Sequence, residues 1–356
     1  MYVALYSSNY HPAHAQHMHA YALALQSCGL SVCIWANEAY RTNHPELRQF
    51  LWMEQDSSAA RNAPKCKLAI VLNMGLKNIP RTILWRMSGW KVLFCVHEPI
   101  RNMADFQNLG LSKREMAKLR AMRALIWLQI RLSTALIAYS RKTVMELAGI
   151  KPVVQHPLLY VDQITEAEPL INAPNAISYI GTIAKDHAFA EFLAFVEHCL
   201  ESQLFPDQRF VIATRSTFDP NHFAAWGAAA AGRVTVQSGR LLSDKEINGF
   251  YAEAAVIWCA YRRSNQSGVL PKAYMFGVPV IVSRSLTNLI VADDHFHATE
   301  LGAEIKSYAL NDIALAVQSI LADRPRLSKA CRTCYLETFD YKANIPTLKK
   351  MVNAYE

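Results

Sequence analysis

The chain alternates between short apolar runs and longer stretches in which apolar residues recur at helical spacing. In the first half, a helix is predicted at about residues 14–28, and strands are predicted at residues 2–6, 31–36, 68–73, 92–96 and 135–138. A strand followed by a helix, repeated several times, is typical of a parallel sheet with helices on both faces. The first half therefore predicts one Rossmann-like domain.

The alternation stops near the middle of the chain and then restarts. Residues 162–176 are polar, contain proline and show little periodicity, which is typical of a linker. Beyond them, strands are predicted at residues 177–180, 210–213, 234–237, 256–260 and 278–282. We therefore predict an N-terminal domain at 1–160, a linker at 161–176 and a second Rossmann-like domain at 177–339. Residues 340–356 are expected to return to the first domain.

The segment from Tyr261 to Ile281 is the most informative part of the sequence, because it reads as strand, loop, helix and strand. Ser267 and Gly268 are small enough for a ligand to approach the backbone, and the free amides of a following helix favour an anion. Gly277 is expected to end that helix. A diphosphate is the predicted occupant.

This segment resembles the signature of family 4 glycosyltransferases of the GT-B fold. In that signature a glutamate, a glycine-rich loop, a second glutamate before alanine and a Gly-x-Pro-Val run follow one another at fixed spacing. Residues 178–185 also resemble the first donor-domain strand of the family, with its glycine and its phosphate-binding lysine. The similarity covers most of residues 177–283, and in the first half only the layout matches. It implies an α/β protein of GT-B architecture, with two Rossmann-like domains facing a central cleft.

The resemblance implies how a nucleotide-sugar donor would be held. The backbone amides of Gln266, Ser267 and Gly268 would bind the distal phosphate, and Lys185 would neutralise it. Fixed amides and a cation stabilise a diphosphate leaving group as its charge develops. Further phosphate candidates are Arg263, at the mouth of the loop, and Lys272. Candidates for the donor sugar or the nucleotide are Gly181, Thr182, Arg215, Arg240, Ser264 and Asn265.

Two positions depart from the family pattern. The glutamates that the family spaces eight residues apart correspond here to Ser264 and Lys272. Ser264 or Asn265 would have to replace the first glutamate in contacting the sugar hydroxyls. Lys272 cannot accept a hydrogen bond from the ribose as an ammonium, but it can meet a phosphate. The change leaves two alternatives open: a divergent transferase, or an inactive subunit that only binds nucleotide sugar.

In the first domain, His97 follows an apolar run and is expected at the carboxyl end of a strand, where it would reach a sugar. Glu98 beside it is a candidate general base or orienting group, so this pair is the predicted catalytic site. Asn9 and His14, after the first strand, are candidates for the acceptor or the cleft. The cluster of histidines at 11, 14, 17 and 19 lacks a carboxylate or cysteine, and we assign no metal there.

The net charge of +8 permits three partners: a nucleic acid, an anionic membrane surface or a phosphorylated small molecule. No recognition motif or aromatic platform accompanies the charge, so a nucleic acid is not predicted. Residues 113–131, from Lys113 to Arg131, have the pattern of a basic amphipathic helix. Such a helix would bind an anionic membrane surface. An ordinary packed helix with a cationic outer face is the alternative.

Several features favour a cytoplasmic protein, with a peripheral position on the inner face of the cell membrane as a further option. The apolar N-terminus has no basic region before it and reads as a strand, not as a signal peptide. Residues 121–139 are interrupted by Arg123, Gln129 and Arg131, which is costly in a bilayer. The eight cysteines show no disulfide spacing, and Cys331 and Cys334 form a single CxxC pair without a second one.

The sequence thus predicts a hexosyltransferase that retains the anomeric configuration of the transferred sugar and acts in bacterial surface-polysaccharide assembly. It would move a sugar from a UDP- or GDP-sugar substrate to a glycan or lipid-linked acceptor, with no cofactor. Most of this prediction comes from the resemblance to the family.

Overall fold

The computed structural model describes residues 2–54, 66–97, 111–164, 174–219, 221–263, 268–283 and 298–355. The chain divides into two compact units, and each is considered by itself. The first contains Met1–Val161 and Glu337–Glu356, and the second contains Asp162–Leu336.

The first unit is a parallel sheet covered by helices. Its strands are β1 (Tyr2–Ser7), β2 (Ser31–Ala36), β3 (Leu51–Glu54), β4 (Cys66–Val71), β5 (Lys91–Val96), β6 (Ala135–Ala138) and β7 (Val153–Gln155). Its helices are α1 (Pro12–Ser27), α2 (Glu38–Asn43), α3 (Asn78–Met87), α4 (Lys113–Leu132) and α5 (Arg141–Leu147). A 3-10 turn spans Pro45–Gln49. The strand order is β3-β2-β1-β4-β5-β6-β7, and all pairs are parallel.

The first sheet reverses its winding direction between β1 and β4. Val3 lies opposite Val32 of β2 on one side and opposite Leu68 of β4 on the other. The chain builds outward from β1 to β3 and then crosses back to start β4. Such a topological switch point leaves a crevice outside the carboxyl ends of the two central strands.

Aromatic packing stabilises one face of this sheet. Tyr6 meets Trp85 edge to face, with ring centroids 5.1 Å apart, and Trp35 packs against Trp85 at 5.5 Å. Ile130 of α4 is buried in the same cluster. Each edge-to-face pair adds about 1 kcal/mol beyond the apolar area that it buries, so these contacts fix α3 and α4 against the strands.

The last part of the chain belongs to the first unit. The N–H of Tyr160 donates to the Phe339 carbonyl at 2.9 Å, and the N–H of Tyr341 donates to the Tyr160 carbonyl at 3.0 Å. A π-helical turn (Tyr335–Phe339) and a 3-10 turn (Tyr341–Asn344) lead into the final helix, Ile345–Asn353, which packs against α1.

The second unit repeats the architecture with six strands: β8 (Ala176–Ile180), β9 (Arg209–Ala213), β10 (Val234–Gln237), β11 (Ala254–Cys259), β12 (Val280–Ser283) and β13 (Gly302–Ile305). Its helices are α6 (Phe189–Glu201), α7 (Asp244–Glu253), α8 (Val269–Met275), α9 (Ala298–Leu301), α10 (Leu310–Ala322) and α11 (Arg324–Cys334), so the final helix of the chain is α12. Two 3-10 turns span Lys185–His187 and Ala224–Ala229. The order is β10-β9-β8-β11-β12-β13, again parallel throughout.

The predicted α/β class is confirmed, and the predicted strands are present with ends that differ by one or two residues. Three further strands, β3, β7 and β13, were not predicted, and each lies at the edge of its sheet. Leu51 in β3 is 48% exposed, and β7 is only partly buried. An edge strand is less covered by neighbouring elements than a central strand, so it does not need a continuous apolar run. The hydrophobic pattern of these three strands is therefore weak in the sequence.

The helix predicted from the basic segment is α4. Its start is fixed by a capping box, in which Ser112 accepts from the Glu115 N–H and the Glu115 carboxylate accepts from the Ser112 N–H. Among the residues described here, no helix is long and apolar enough to span a bilayer.

Candidate active site

The second sheet has its topological switch point between β8 and β11. From β8 the chain winds outward to β9 and β10, and it then returns to β11 on the other side. The loops that begin at Gly181 and at Ala260 leave these two neighbouring strands at their carboxyl ends. Open parallel sheets bind ligands at such a point, so the loops define the candidate site of this unit.

Gly181 forms the turn that leaves β8. Its φ of +140° lies in a region that residues with side chains rarely adopt, and a Cβ there would be 3.8 Å from the Val269 side chain. Val269 is the first residue of α8. The glycine turn and the start of α8, both predicted to contact the donor, therefore lie next to each other.

The turn after Gly181 is held by its own side chains. The Thr182 carbonyl accepts from the Tyr179 hydroxyl at 2.8 Å and from Nδ1 of His187 at 2.7 Å. The His187 ring in turn stacks on Tyr261, with centroids 4.5 Å apart. Lys185, between these anchors, is exposed. The predicted phosphate-binding lysine thus lies on a turn whose backbone is fixed on both sides.

Asp186 joins the β8 loop to the β11 loop. Its carbonyl accepts from the N–H groups of Arg262 and Arg263 at 2.8 and 3.3 Å. Its carboxylate lies 3.8 Å from the guanidinium of Arg263, a residue that is only 7% exposed. Arg262 turns to Glu191 and stacks over the Tyr308 ring. Asp186 therefore holds Arg263, a predicted phosphate ligand, beside the turn that carries Lys185.

Lys272 lies on α8 and is buried, with 7% of its surface exposed. Burial lowers its pKa to about 8, and the nearby Asp244 carboxylate partly opposes that shift. A bound anion would raise this pKa again, because it stabilises the charged form of the lysine. The structure therefore places a buried amino group on α8.

The other two predicted arginines have different surroundings. Arg215 is exposed after β9, and the adjacent Ser216 hydroxyl accepts from the Ile183 N–H at 3.0 Å, which links this loop to the Gly181 turn. Arg240 instead donates to both carboxylate oxygens of Glu246, at 3.2 and 2.5 Å. These bonds, together with those from the N–H and the hydroxyl of Ser243, lower the pKa of Glu246 to about 2. The guanidinium of Arg240 is thus bound to a carboxylate in the first turn of α7.

The centre of the predicted phosphate loop lies outside the described residues. This applies to Ser264, Asn265, Gln266 and Ser267, whose predicted roles stay predictions. Gly268 is described and exposed, with φ of −65° and ψ of −15°. These angles are open to any residue, so only the small size of Gly268 can matter at this position. Gly277 ends α8 with φ of +63°, as predicted.

The first sheet has a second polar cluster at its own switch point. The carbonyl of Asn9 accepts from Ser7, Tyr40 and Asn73 at 3.0 to 3.2 Å. Asn73 also donates to Ser7 at 2.8 Å. Gly75 packs so closely that a Cβ there would lie 2.0 Å from the Ser8 hydroxyl oxygen. Asn9, a predicted cleft residue, is exposed on a rigidly held turn.

His97 follows β5, as predicted, and its tautomer can be assigned from its partner. Nε2 lies 2.7 Å from the Leu72 carbonyl, which can only accept, so Nε2 carries the proton. Burial lowers the pKa of His97 below its ordinary value. The ring is stacked on His14, with centroids 5.3 Å apart, and packs against Tyr139 at 4.8 Å. His97 is therefore a neutral imidazole with a free lone pair on Nδ1. Glu98, its predicted partner, lies outside the described residues.

His14 and His17, one turn apart on α1, are also neutral. Burial, with the neighbouring histidines, lowers the pKa of His14 to about 2 and that of His17 to about 3. In the described part of the chain, neither His14 nor His17 belongs to a group of three His, Cys, Asp or Glu ligand atoms within 4.8 Å of one another. His14 can therefore hydrogen-bond a sugar hydroxyl as a neutral ring, but it cannot serve as a cation for phosphate.

Several site residues were not predicted from the sequence. Asp186, Ser216 and the stacked pair of His187 and Tyr261 position the predicted ligands without a motif of their own. Asp186, Ser216 and Tyr261 each directly follow a predicted strand or a predicted ligand, and His187 lies two residues after Lys185. Tyr40 had no such signal, because it reaches the first switch point from α2.

Comparison with known proteins identifies solved structures with this architecture. No protein-family model and no curated protein matches the sequence. Solved structures match over nearly the whole length. HepE of Anabaena, in complex with UDP and glucose, has a TM-score of 0.71 at 11% identity, covering 99% of this chain and 100% of that chain. Sucrose-phosphate synthase of Thermosynechococcus elongatus has 0.67 at 14%, covering 99% and 98%. A glycosyltransferase of Rickettsia africae has 0.66 at 12%, covering 99% and 97%. The chain has the GT-B fold that these proteins share.

Proposed function

We propose that the protein is a glycosyltransferase that moves a hexose from a UDP- or GDP-sugar to a glycan or lipid-linked acceptor. One observation carries the proposal: the Gly181 turn, Lys185, Arg263 and the start of α8 converge at the switch point of the second sheet. The similarity of fold to HepE, which was solved with UDP and with UDP-glucose, supports the same class of donor.

The donor phosphates would be bound by cations and backbone amides. Lys185 and Arg263 lie on loops that Asp186 joins, and a diphosphate placed between them would replace part of the Asp186 contact with a stronger bond. The amides of Gln266, Ser267 and Gly268 would add neutral donors, while Ser264 and Asn265 would contact the sugar. Because side-chain cations are available, we propose that the leaving diphosphate is stabilised without a metal ion.

Lys272 would compensate part of the negative charge of the diphosphate, a role that a carboxylate at this position could not have. Its buried ammonium gains an anionic partner when the diphosphate binds, which offsets the cost of burying the charge. The ribose would then be held by other groups, among them the backbone around Gly181 and Thr182, with Arg215 near the base.

The first unit would supply the groups that act on the transferred sugar. The neutral His97 can accept a hydrogen bond from a hydroxyl through Nδ1, and we propose that it acts with Glu98 on the transferred sugar. Asn9 and His14 would hold hydroxyl groups. We propose retention of anomeric configuration and a role in bacterial surface-polysaccharide synthesis on the cytoplasmic side, both supported by the family resemblance.

A binding subunit without activity is the second candidate. It is favoured by one observation, the replacement of both family glutamates by Ser264 and Lys272. Such a protein would keep the diphosphate contacts and bind nucleotide sugar without turnover. Both candidates bind nucleotide sugar, and only the transferase would turn it over.

A donor screen separates these candidates. The protein would be incubated with UDP-glucose, UDP-N-acetylglucosamine, UDP-galactose and GDP-mannose, and both thermal shift and nucleotide release would be measured. We expect one donor to raise the melting temperature and to be hydrolysed slowly or transferred to an added glycan. Stabilisation without any turnover would favour the binding subunit. A folded protein that no donor stabilises would refute both. The anomeric configuration of the product, read by NMR, tests retention.

A further inference from the structure

Helix α3 in the first unit is amphipathic in the opposite sense to most surface helices, with polar residues facing the protein and apolar residues facing outward. The side that faces the protein carries Asn78 and Thr82 together with Trp85, and all three are buried. The opposite side carries large apolar residues at intervals of three and four, so they form one stripe along the helix. With Leu76 in the turn before the helix, the stripe consists of Leu76 (70% exposed), Ile83 (39%), Leu84 (58%) and Met87 (80%).

The inward polar residues of α3 have specific partners. Nδ2 of Asn78 donates to the Asn73 carbonyl at 2.5 Å, and Nε2 of Gln129 donates to the Thr82 hydroxyl at 2.8 Å. Gln129 belongs to α4, so this bond fixes α3 and α4 side by side. The inner face is therefore determined by the fold, whereas no contact in the described part of the chain requires leucine or methionine on the outer face. Contiguous exposed apolar residues of this kind mark an interaction surface.

The helix that packs beside α3 is strongly basic. Helix α4 carries six basic residues and one acidic residue, and α3 carries two basic residues and no acidic one. The acidic residue, Glu115, is bound to Ser112 in the helix cap. The exposed cations of α4 include Lys113, Arg114, Lys118, Arg120 and Arg131. Met122 and Leu128, both 43% exposed, add apolar surface among them.

We propose that the outer face of α3 and α4, hereafter the α3–α4 face, docks on an anionic lipid bilayer. Leu84 and Met87 would enter the boundary between headgroups and acyl chains, while the cations of α4 would meet the lipid phosphates. Apolar side chains beside clustered cations, with no free acidic group on either helix, match an anionic leaflet in both polarity and charge. The inference does not depend on the proposed transferase activity.

A second copy of the chain fits this face less well. A symmetric dimer places the same surface of both protomers in contact, so the cations of two α4 helices would face each other and repel. A duplex nucleic acid would satisfy the cations, but it offers little apolar surface to Leu84 and Met87. The bilayer is the partner that uses both properties of the face.

Vesicle co-sedimentation tests the proposal. The full-length protein would be mixed with phosphatidylcholine vesicles, with and without about 30% phosphatidylglycerol. We expect partitioning onto the anionic vesicles and much weaker partitioning onto the neutral ones. The double substitution Arg114→Gln, Lys118→Gln should lower anionic partitioning by about 25-fold, at roughly fivefold or 1 kcal/mol for each cation near the surface.

The apolar stripe is tested by Leu84→Gln, Met87→Gln, which should lower partitioning at least tenfold. The matched control is Met145→Gln, Leu315→Gln, because these residues are 71% and 63% exposed and lie on α5 and α10. The control should partition like the unchanged protein. Since all these positions are exposed, melting temperatures are expected to stay close to that of the unchanged protein.

Four results would overturn the proposal. These are no partitioning onto anionic vesicles, partitioning that the Leu84 and Met87 substitutions leave unchanged, and equal loss in the control variant. The fourth is a self-associating or DNA-binding protein whose association, rather than its lipid binding, is lost in the Leu84 and Met87 variant. That last result would assign the face to a second copy or to a nucleic acid.

Discussion

His97 and Leu72 are linked by a short hydrogen bond, 2.7 Å from the imidazole Nε2 to the carbonyl oxygen. This bond places the proton on Nε2 and leaves Nδ1 as an acceptor. Since burial also lowers the pKa of His97, the ring stays neutral at physiological pH. A histidine that was expected from its place after a strand therefore has a defined chemical state.

Replacing His97 should impair transfer more than donor binding. We expect His97→Ala to lower kcat/KM by about 100-fold or more, because a positioned group that handles a proton contributes at least that much. The affinity for UDP should change little, since no phosphate contact is proposed for this ring. Steady-state kinetics and calorimetric titration with UDP would measure the two effects.

His19→Ala is the matched control, because His19 is a partly buried histidine on α1 outside the His97 cluster. An equal loss of activity in both variants, or a large loss of UDP affinity in His97→Ala alone, would contradict the assigned role.

Lys272 should make nucleotide binding depend on pH. Its pKa of about 8 lies below the ordinary 10.5, so the free protein loses this proton as the pH rises past 8. A bound diphosphate favours the charged form, and affinity for UDP should therefore fall between pH 8 and 9, by up to about tenfold for each pH unit. Calorimetry across pH 7 to 9 would record it.

The variant Lys272→Met should bind UDP more weakly at pH 7 and lose this pH dependence. Removal of a buried charge should leave the melting temperature at pH 7 unchanged or raised, which shows that the variant is folded. The same pH slope in both proteins would exclude Lys272 as a phosphate ligand.

Gly181 should be intolerant of a side chain. Its φ of +140° makes Gly181→Ala costly, by about 1 to 3 kcal/mol, although the new Cβ would only touch Val269 at an ordinary distance. We expect a lower melting temperature together with weaker UDP binding, because the turn lies against the start of α8.

Gly249→Ala provides the comparison for Gly181→Ala. Gly249 lies within α7, and a Cβ there meets no atom within 4 Å. Alanine should raise helix stability by up to about 1 kcal/mol and leave binding unchanged. If the two substitutions had the same effect on UDP affinity, the Gly181 turn would not belong to the site.

The histidine cluster should make the first unit sensitive to acid. The folded-state pKa of His17, about 3, lies below the ordinary 6.5, so the unfolded chain takes up a proton first as the pH falls. The stability is complete above pH 6.5 and is lost progressively below it. His17 alone should contribute a loss of about 2 kcal/mol between pH 6.5 and pH 5.

Urea unfolding at pH 7.5 and pH 5 would measure this loss. His17→Gln should be less stable than the unchanged protein at pH 7.5 but should lose less on acidification. His198→Gln, at a partly exposed histidine on α6, should follow the unchanged protein at both pH values. An unaltered acid loss in His17→Gln would show that other groups cause the sensitivity.

Much of the fold was predictable from the sequence because the central strands are buried on both faces. Such strands, for example Ala254–Cys259, must be apolar throughout, and they leave a clear run in the sequence. Edge strands such as Gly302–Ile305 carry no such run. The outward position of the apolar residues of α3 was also not predictable, since in the sequence its leucines look like core residues.

Candidate site residues could be chosen from the sequence only by their place after a strand. His97 and Gly181 directly follow β5 and β8, as expected, and Arg263 lies in the loop after β11. The roles of Asp186 and Tyr40 depend on contacts across the fold, and no local pattern encodes them. Arg240 also lies in a loop after a strand, yet its guanidinium is paired with Glu246 at the start of α7.

The central claim is that the switch point of the second unit binds a nucleoside diphosphate. Isothermal titration of the full-length protein with UDP and GDP, alongside Lys272→Met and Gly249→Ala, tests it most directly. We predict that one nucleotide binds with a Kd between about 1 μM and 1 mM, more weakly in Lys272→Met and unchanged in Gly249→Ala. No binding of either nucleotide to the folded protein, or equal binding in all three proteins, would contradict it.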